Sequence, residues 1–428
     1  MGVFATSVSH ALGRIPQGSR LRLTVPWPVG SIDPHALDDG AAALFGSAIA
    51  DPLYAIGPSG HPYPALADAL PERAGSGVTV RLRPGMTTGA GRPLSGEDVV
   101  FSLRRSGARA AVALLGSFGR PELSRGDRME VFIPGATPKA AAQALSSPLT
   151  AIVPKGFVAH RPDGTGAFRV RQHRFGITLE RNERAARGPA FVQSIEVSTA
   201  ASLAEALRAF ETGDADVGWL GAGLHNPRPG ASMFNAGRLG WVVLRTGNEA
   251  LEWGAPGVAQ TLADAVRPEQ LQPYGLVPLP ESGVPAVWGG LPSEVVVRRD
   301  AAQLAEIARI VAGVLGNPGR ELRVMPLAAR QFAHRRRTGK YALMVDFVRP
   351  VGFDPDALAL SLMTAQDPAL ARRPPLGGLP HARHVTRTLR LGVLGRLDHI
   401  GASLKRFRGL PAWTLGSVWD EALLDARG

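Results

Sequence analysis

The stretch "VTVRLRPGMTTGAGRPLSGEDVVFSLRR" (residues 78–105) decides how this chain is read. Val78, Val80 and Leu82 alternate with Thr79, Arg81 and Arg83, the period of a strand with one buried face. Pro84, Gly85, Gly89, Gly91 and Pro93 punctuate a turn. Ser95 then stands before an apolar run with Asp98 three residues on, a short-chain relative of the capping box, so a helix starts there. A strand, a glycine turn and a helix form a well-specified unit with no catalytic motif in it.

Outward from this unit the chain alternates between well and poorly specified segments. Residues 1–19 read as loose, and "RLRLTVPW" (20–27) as a first strand. Residues 38–54 read as a helix ending near Pro52, and 57–72 as a Gly/Pro loop with a helical turn. A small helix at 137–147 is closed by Pro148, and "GTGAFRVRQHRFGITLERN" (164–182) reads as a β-hairpin. In "SLAEALRAFETG" (202–213), Leu203, Ala206, Leu207 and Phe210 fall on one helical face, with Ser202 and Glu205 as a capping box and Gly213 as the stop. In residues 300–319, Leu304, Ile307, Ala308, Val311 and Leu315 form a stripe, with Asp300 and Gln303 expected to cap its start. That helix lies between "EVVVRR" (294–299) and "ELRVMPL" (321–327); a basic helix ending at Gly339 and the strand "YALMVDFV" (341–348) follow. The order β-α-β-α-β implies a parallel sheet with right-handed crossovers, so this half is α/β and the earlier half, richer in hairpins, is mixed.

The 428 residues suffice for two or three lobes, with 45% hydrophobic and 20% charged residues. The formal charge of +12 is carried almost wholly by arginine, the only lysines being Lys139, Lys155, Lys340 and Lys405. Arg335, Arg336 and Arg337 are read as a solvated helix face. Without cysteine, disulfides, thiolate metal sites and a lipid-modified cysteine anchor are not expected. No apolar run approaches the ~18–20 residues of a membrane span. The first nineteen residues make a poor signal peptide, so either export is not encoded here or the true start lies upstream.

The search for chemistry returns little. His381 and His384 are the one close histidine pair, without a nearby carboxylate to complete a metal site. There is no nucleophile elbow and no phosphate loop. Asp38/Asp39, Glu97/Asp98 and Asp354/Asp356 are ordinary carboxylate neighbours; helix starts account for Glu97/Asp98 and favour acids at Asp38 and Asp39.

Four segments carry a resemblance. "SIDPHALDDGAAALFGSAIADPLY" (31–54), "PALADALPE" (64–72) with the opening stretch, "GTGAFRV" with "LERNERAARGPAFVQSIEV" (164–197), and "ALRAFETGDADVGW" (206–219) together resemble, in order and spacing, the family 5 extracellular solute-binding proteins, the oligopeptide-binding type that serves ABC importers. "FDPDALAL" (353–360) stands where that family has its Asp-Pro segment. The resemblance implies an α/β, two-lobe periplasmic-binding-protein (Venus-flytrap) fold with an extra small subdomain in the first lobe. Its boundaries would be 1–19 loose, 20–56 with 165–240 and 390–428 as the first lobe, 57–164 as the small subdomain, and 241–389 as the second lobe. It implies a peptide or other small solute bound between the lobes without catalysis, no cofactor or metal, no nucleic acid, a membrane permease as partner, a monomeric state and a periplasmic location. The expected ligand-lining residues are Asp38, Asp39, Gly40, Phe347, Val348 and Arg349. Peptide binders of the family hold the ligand's ammonium with an aspartate four residues before the proline; here that position is Val351. Two alternatives stand beside this reading: a degenerate paralogue of the same fold acting as a ligand sensor or interaction module, and an enzyme with an unrecognised site.

Overall fold

A computed structural model describes residues 18–57, 59–219, 228–279, 286–291, 293–319, 321–352, 356–372, 382–404, 407–408, 419 and 423–424. Among them, one eleven-stranded sheet organises most of the chain. Its order is Arg323–Leu327, Glu294–Arg298, Leu343–Val348, Ala231–Thr246, Leu391–Leu404, Val217–Trp219, Arg20–Val25, Ser194–Thr199, Gly176–Arg181 and Phe168–His173. The short strand Leu276–Val277 also pairs with Leu391–Leu404.

Two long strands join the halves of this sheet. Ala231–Thr246 and Leu391–Leu404 run antiparallel along most of their length. Toward one end Gly401–Ser403 pair with Val217–Trp219, which leads to the parallel strands Arg20–Val25 and Ser194–Thr199. Toward the other, Trp241–Thr246 pair with Leu343–Val348, which leads to the parallel strands Glu294–Arg298 and Arg323–Leu327. Register shifts between Asn235 and Arg238, between Arg238 and Gly240, and between Val242 and Val243 mark the region where the long pair passes from one half to the other. Bulges raise local twist and bend a strand, which lets one ladder serve two differently oriented halves.

The β-α-β-α-β unit is as the periodicity predicts. Helix Ala302–Leu315 buries Leu304, Ile307, Ala308, Val311 and Leu315, and helix Ala329–Thr338 stops at Gly339, which takes the left-handed φ of 70° that an α-helix C-terminus favours for glycine. Its expected cap is not formed. Asp300 pairs instead with Arg298, and Gln303 is drawn inward, accepting the indole N–H of Trp27 at 3.0 Å and donating to the carbonyl of Tyr274 at 2.7 Å. A buried indole needs an acceptor, and that need outweighs a cap on an exposed terminus.

The opening stretch builds a separate body. Gly77–Arg81 is central in a four-stranded antiparallel sheet with Glu72–Ala74, Glu130–Pro134 and Glu122–Leu123. Helix Gly96–Gly107 packs over it through Val99 and Leu103, onto Val78, Val80, Leu82, Val131 and Ile133. Asp98 is buried. Its carboxylate accepts the N–H and hydroxyl of Ser95, the guanidinium of Arg92 at 2.8 Å and the N–H of Lys155 at 2.7 Å. The turn and the helix start are thus knotted together by one carboxylate, a scaffold role. Residues 59–72 contain paired strand residues at Pro62–Pro64 and no helix.

Candidate functional site

A cavity of about 880 Å³ opens between one half of the large sheet, the segment His35–Asp38 that follows the first strand, and the small subdomain. One wall is the segment from His35 to Asp38, beside Ala108, Arg109 and Ala110 at the end of helix Gly96–Gly107. The opposite wall is built by Arg245 to Asn248, by Arg336, Arg337 and Thr338 of helix Ala329–Thr338, by Phe347 and Val348, and by the end of helix Ala357–Gln366 with Asp367 and Arg390.

The first wall is held by a buried polar lattice. Arg105 donates twice to Asp33, at 2.7 and 2.8 Å, and once to His35 Nδ1 at 2.8 Å. His35 Nε2 lies 2.7 Å from the carbonyl of Ala151. These partners fix the neutral tautomer with its proton on Nε2. Burial, with Arg105 beside it, pushes the His35 pKa down to about 4.

Of the six residues expected to line the ligand, Asp38, Phe347 and Val348 border the cavity. Asp38 forms an ion pair with Arg336 across it. Asp39 caps helix Gly40–Ile49, accepting the N–H groups of Ala42 and Asp33 at 3.0 and 2.9 Å. Gly40 opens that helix directly under Trp27, where a Cβ would meet the indole ring at 2.3 Å. Arg349 turns away from the cavity: its side chain, only 4% exposed, donates to the carbonyls of Pro34 and Ala36 at 2.9 Å each, and its backbone N–H donates to Leu37. The strand end after Val348 is therefore bolted to the first wall, and Ser147 adds a bond to the carbonyl of Val351 at 2.7 Å. Phe353, Asp354 and Pro355 lie outside the described residues.

The reading of Arg335–Arg337 as a solvated face needs correction. Arg335 pairs with Glu294, and Arg336 lies between Asp38 and Asp346; Arg337 alone of the three is exposed. Asp346 is buried in the strand, bonded to Arg245 at 2.8 Å and 3.5 Å from Arg336. Burial works to raise its pKa, but the two guanidiniums outweigh it and hold the carboxyl below its usual range. This triad was not singled out from the sequence as a unit. The signal was there: Arg245 in "WVVLRTG" and Asp346 in "LMVDFV" are lone charges in apolar strands, which demand partners.

Trp219 stacks on His399, Trp253 packs against Trp288, and Trp419 stacks on Phe45 and donates to the carbonyl of Leu44, so all four serve packing. Trp413 and His381 lie outside the described residues. No group of three or more metal-ligating side chains occurs among the described residues, nor does a helix long and apolar enough to cross a membrane.

Asp39 supports a pH prediction. Burial pushes its carboxyl up to about 6, against the two amide bonds and Arg349 that favour the anion. The unfolded chain then releases this proton at lower pH than the folded one. Stability from this group is lost as pH rises between about 4 and about 6, by about 3 kcal/mol. His35 acts in the opposite sense over an overlapping range, because its folded pKa is depressed, so the wild-type curve alone does not isolate Asp39. Urea unfolding of wild type and Asp39→Asn at the two ends of that range separates them. The variant gains on wild type as pH rises; a constant difference contradicts the assignment.

No family model matches the chain, and no curated protein does. Solved structures match along nearly its whole length. The binding protein AgaA of Agrobacterium tumefaciens R10, in complex with agropinic acid, superposes with a TM-score of 0.68 at 16% identity, covering 92% of this chain and 96% of its own. The oligopeptide-binding protein AppA of Bacillus subtilis, in complex with a nonapeptide, gives 0.69 at 15% identity, covering 96% and 99%. The ABC transporter-associated periplasmic binding protein DppA of Helicobacter pylori, in complex with the peptide STSA, gives 0.69 at 16% identity, covering 96% and 99%. The likeness read from the motifs thus holds at the level of architecture: this chain has the two-lobe α/β fold of the periplasmic solute-binding proteins.

Proposed function

We propose that this chain is a family 5 solute-binding protein, the substrate-binding component of an ABC-type importer, which holds a small solute in the cavity between its halves and performs no reaction on it. The observation that carries the reading is the cavity itself. Its walls come from the segment His35–Asp38 that follows the first strand, from one end of the crossover strands with the elements packed there, and from the small subdomain, and its size falls within the roughly 300–1,000 Å³ of small-molecule sites. The halves are taken as a first lobe of 20–56, 165–240 and 390–428, a small subdomain of 57–164 and a second lobe of 241–389. A ligand touching both halves favours their closed arrangement by its differential affinity for it, with the bulged crossover strands as hinge. The partner is a membrane permease, the working place is outside the cytoplasm, and the chain acts as a monomer. Support comes from the likeness in fold to DppA, an ABC transporter-associated periplasmic binding protein.

Ala333 tests the site. It is exposed on helix Ala329–Thr338 and borders the cavity, so Ala333→Trp fills the cavity without disturbing a core. Wild type exposed to a concentrated small-molecule extract of its host's growth medium is expected to unfold at higher temperature, since a ligand at about 100 times its Kd adds about 2.7 kcal/mol. Ala333→Trp is expected to show no such rise. Equal behaviour of the two proteins contradicts the site.

A further inference from the structure

We infer that the solute is an acid: a small molecule presenting carboxylate or phosphoryl oxygens to the cavity and carrying no free ammonium group. The inference rests on the solute-binding reading above and specifies its substrate class.

Two independent features of the walls carry it. The first is a surplus of guanidinium. Among the described residues five arginines line the cavity, Arg109, Arg245, Arg336, Arg337 and Arg390, against the carboxylates of Asp38 and Asp367. Arg245 and Arg336 are matched by Asp38 and by Asp346 just behind the wall. The other three arise on separate elements; among the described residues Arg337 and Arg390 have no carboxylate partner, and Arg109 shares Asp33 with Arg105. Arg390 donates to the neutral side chain of Asn248 at 2.9 Å. Arg109 is 3.7 Å from Asp33, which already takes both of its strong bonds from Arg105. Arg337 is exposed and makes no ion pair or side-chain hydrogen bond among the described residues. Guanidinium offers paired donors that match carboxylate and phosphate oxygens.

The second feature is the shortage of receivers for a cation. A buried ammonium needs a buried carboxylate. Asp38 is held by Arg336, and Asp346 by Arg245 and Arg336. Asp367 is exposed and accepts the N–H of Ala369. His35 has both ring nitrogens engaged. A peptide's amino terminus therefore finds no free buried anion among the described residues of either wall, whereas an acid finds three guanidiniums.

Calorimetric titration of the full chain with four sets of probes decides the matter: polycarboxylates such as citrate and N-acetylated acidic dipeptides, sugar phosphates, unmodified zwitterionic peptides, and neutral disaccharides. Binding is expected from the first or second set, which separates carboxylate from phosphoryl recognition. Arg337→Gln and Arg390→Gln are each expected to weaken it about tenfold, and raising salt from about 0.05 to about 0.5 M to weaken it further by screening. Arg337 touches no structural partner, so its variant keeps the wild-type unfolding temperature. Tight binding of peptides or disaccharides but not of the acids overturns the inference and leaves the solute-binding reading standing. Acid binding that is indifferent to both substitutions also overturns it. Silence from all four sets together with a failed cavity-filling test overturns the solute-binding reading itself.

Discussion

Asp346→Ala is expected to lower the unfolding free energy by about 3–5 kcal/mol. The carboxylate is 2% exposed and lies between Arg245, 8% exposed at its side chain, and Arg336. Removing it leaves one guanidinium desolvated and without an anion, and a second with only Asp38. A charge stranded in this way costs more than the pair contributes, because the water given up on folding is not recovered. Arg245 retains only the carbonyl of Ala365, at 3.1 Å. Combining Asp346→Ala with Arg245→Met is expected to recover part of the loss, since the desolvated cation is then gone. Urea unfolding measures both. A loss below about 1 kcal/mol for the single variant would mean that water reaches the triad.

Phe347→Ala is expected to cost about 3–5 kcal/mol as well, by a different route. The ring is 1% exposed, and Trp27 meets it edge-on with centroids 5.2 Å apart. That contact joins the strand Leu343–Val348 to the segment following Arg20–Val25, and so ties the two halves of the sheet together. Truncation leaves a void at the joint. A double-mutant cycle with Trp27→Ala is expected to return a coupling of about 0.5–1.5 kcal/mol. Additive losses would show that the two rings do not support each other, and that the joint is held by the Arg349 bolts alone.

Much of the architecture was legible in the sequence because it is written in local patterns. The stripe from Leu304 to Leu315 and the alternation at 78–82 each specify an element with a buried face, and the order around residues 294–348 specifies a parallel sheet. Interactions joining residues far apart in the chain were not legible. Asp300 and Gln303 match a capping pattern, yet Gln303 answers Trp27, a residue 276 positions away. Arg336 sits in a run of three arginines that looks like a wet helix face; only the approach of Asp38 and Asp346 from two other segments makes it part of an inner wall. The lining of the candidate cavity was half legible for the same reason. Phe347 and Val348 stand at the end of a strand whose position is fixed by local pattern, and they border the cavity. Arg349 is one residue further on, but its direction is set by carbonyls at Pro34 and Ala36, 315 and 313 positions earlier.

In the proposed function a small molecule occupies the space between Asp38 and Arg109 on one side and Arg337 and Arg390 on the other. Native mass spectrometry after exposure to the host extract reads this directly. Wild type is predicted to carry one tightly held solute, released on partial unfolding, and Ala333→Trp to carry none. Two proteins with the bare mass of the chain, or the same adduct on both, would contradict it.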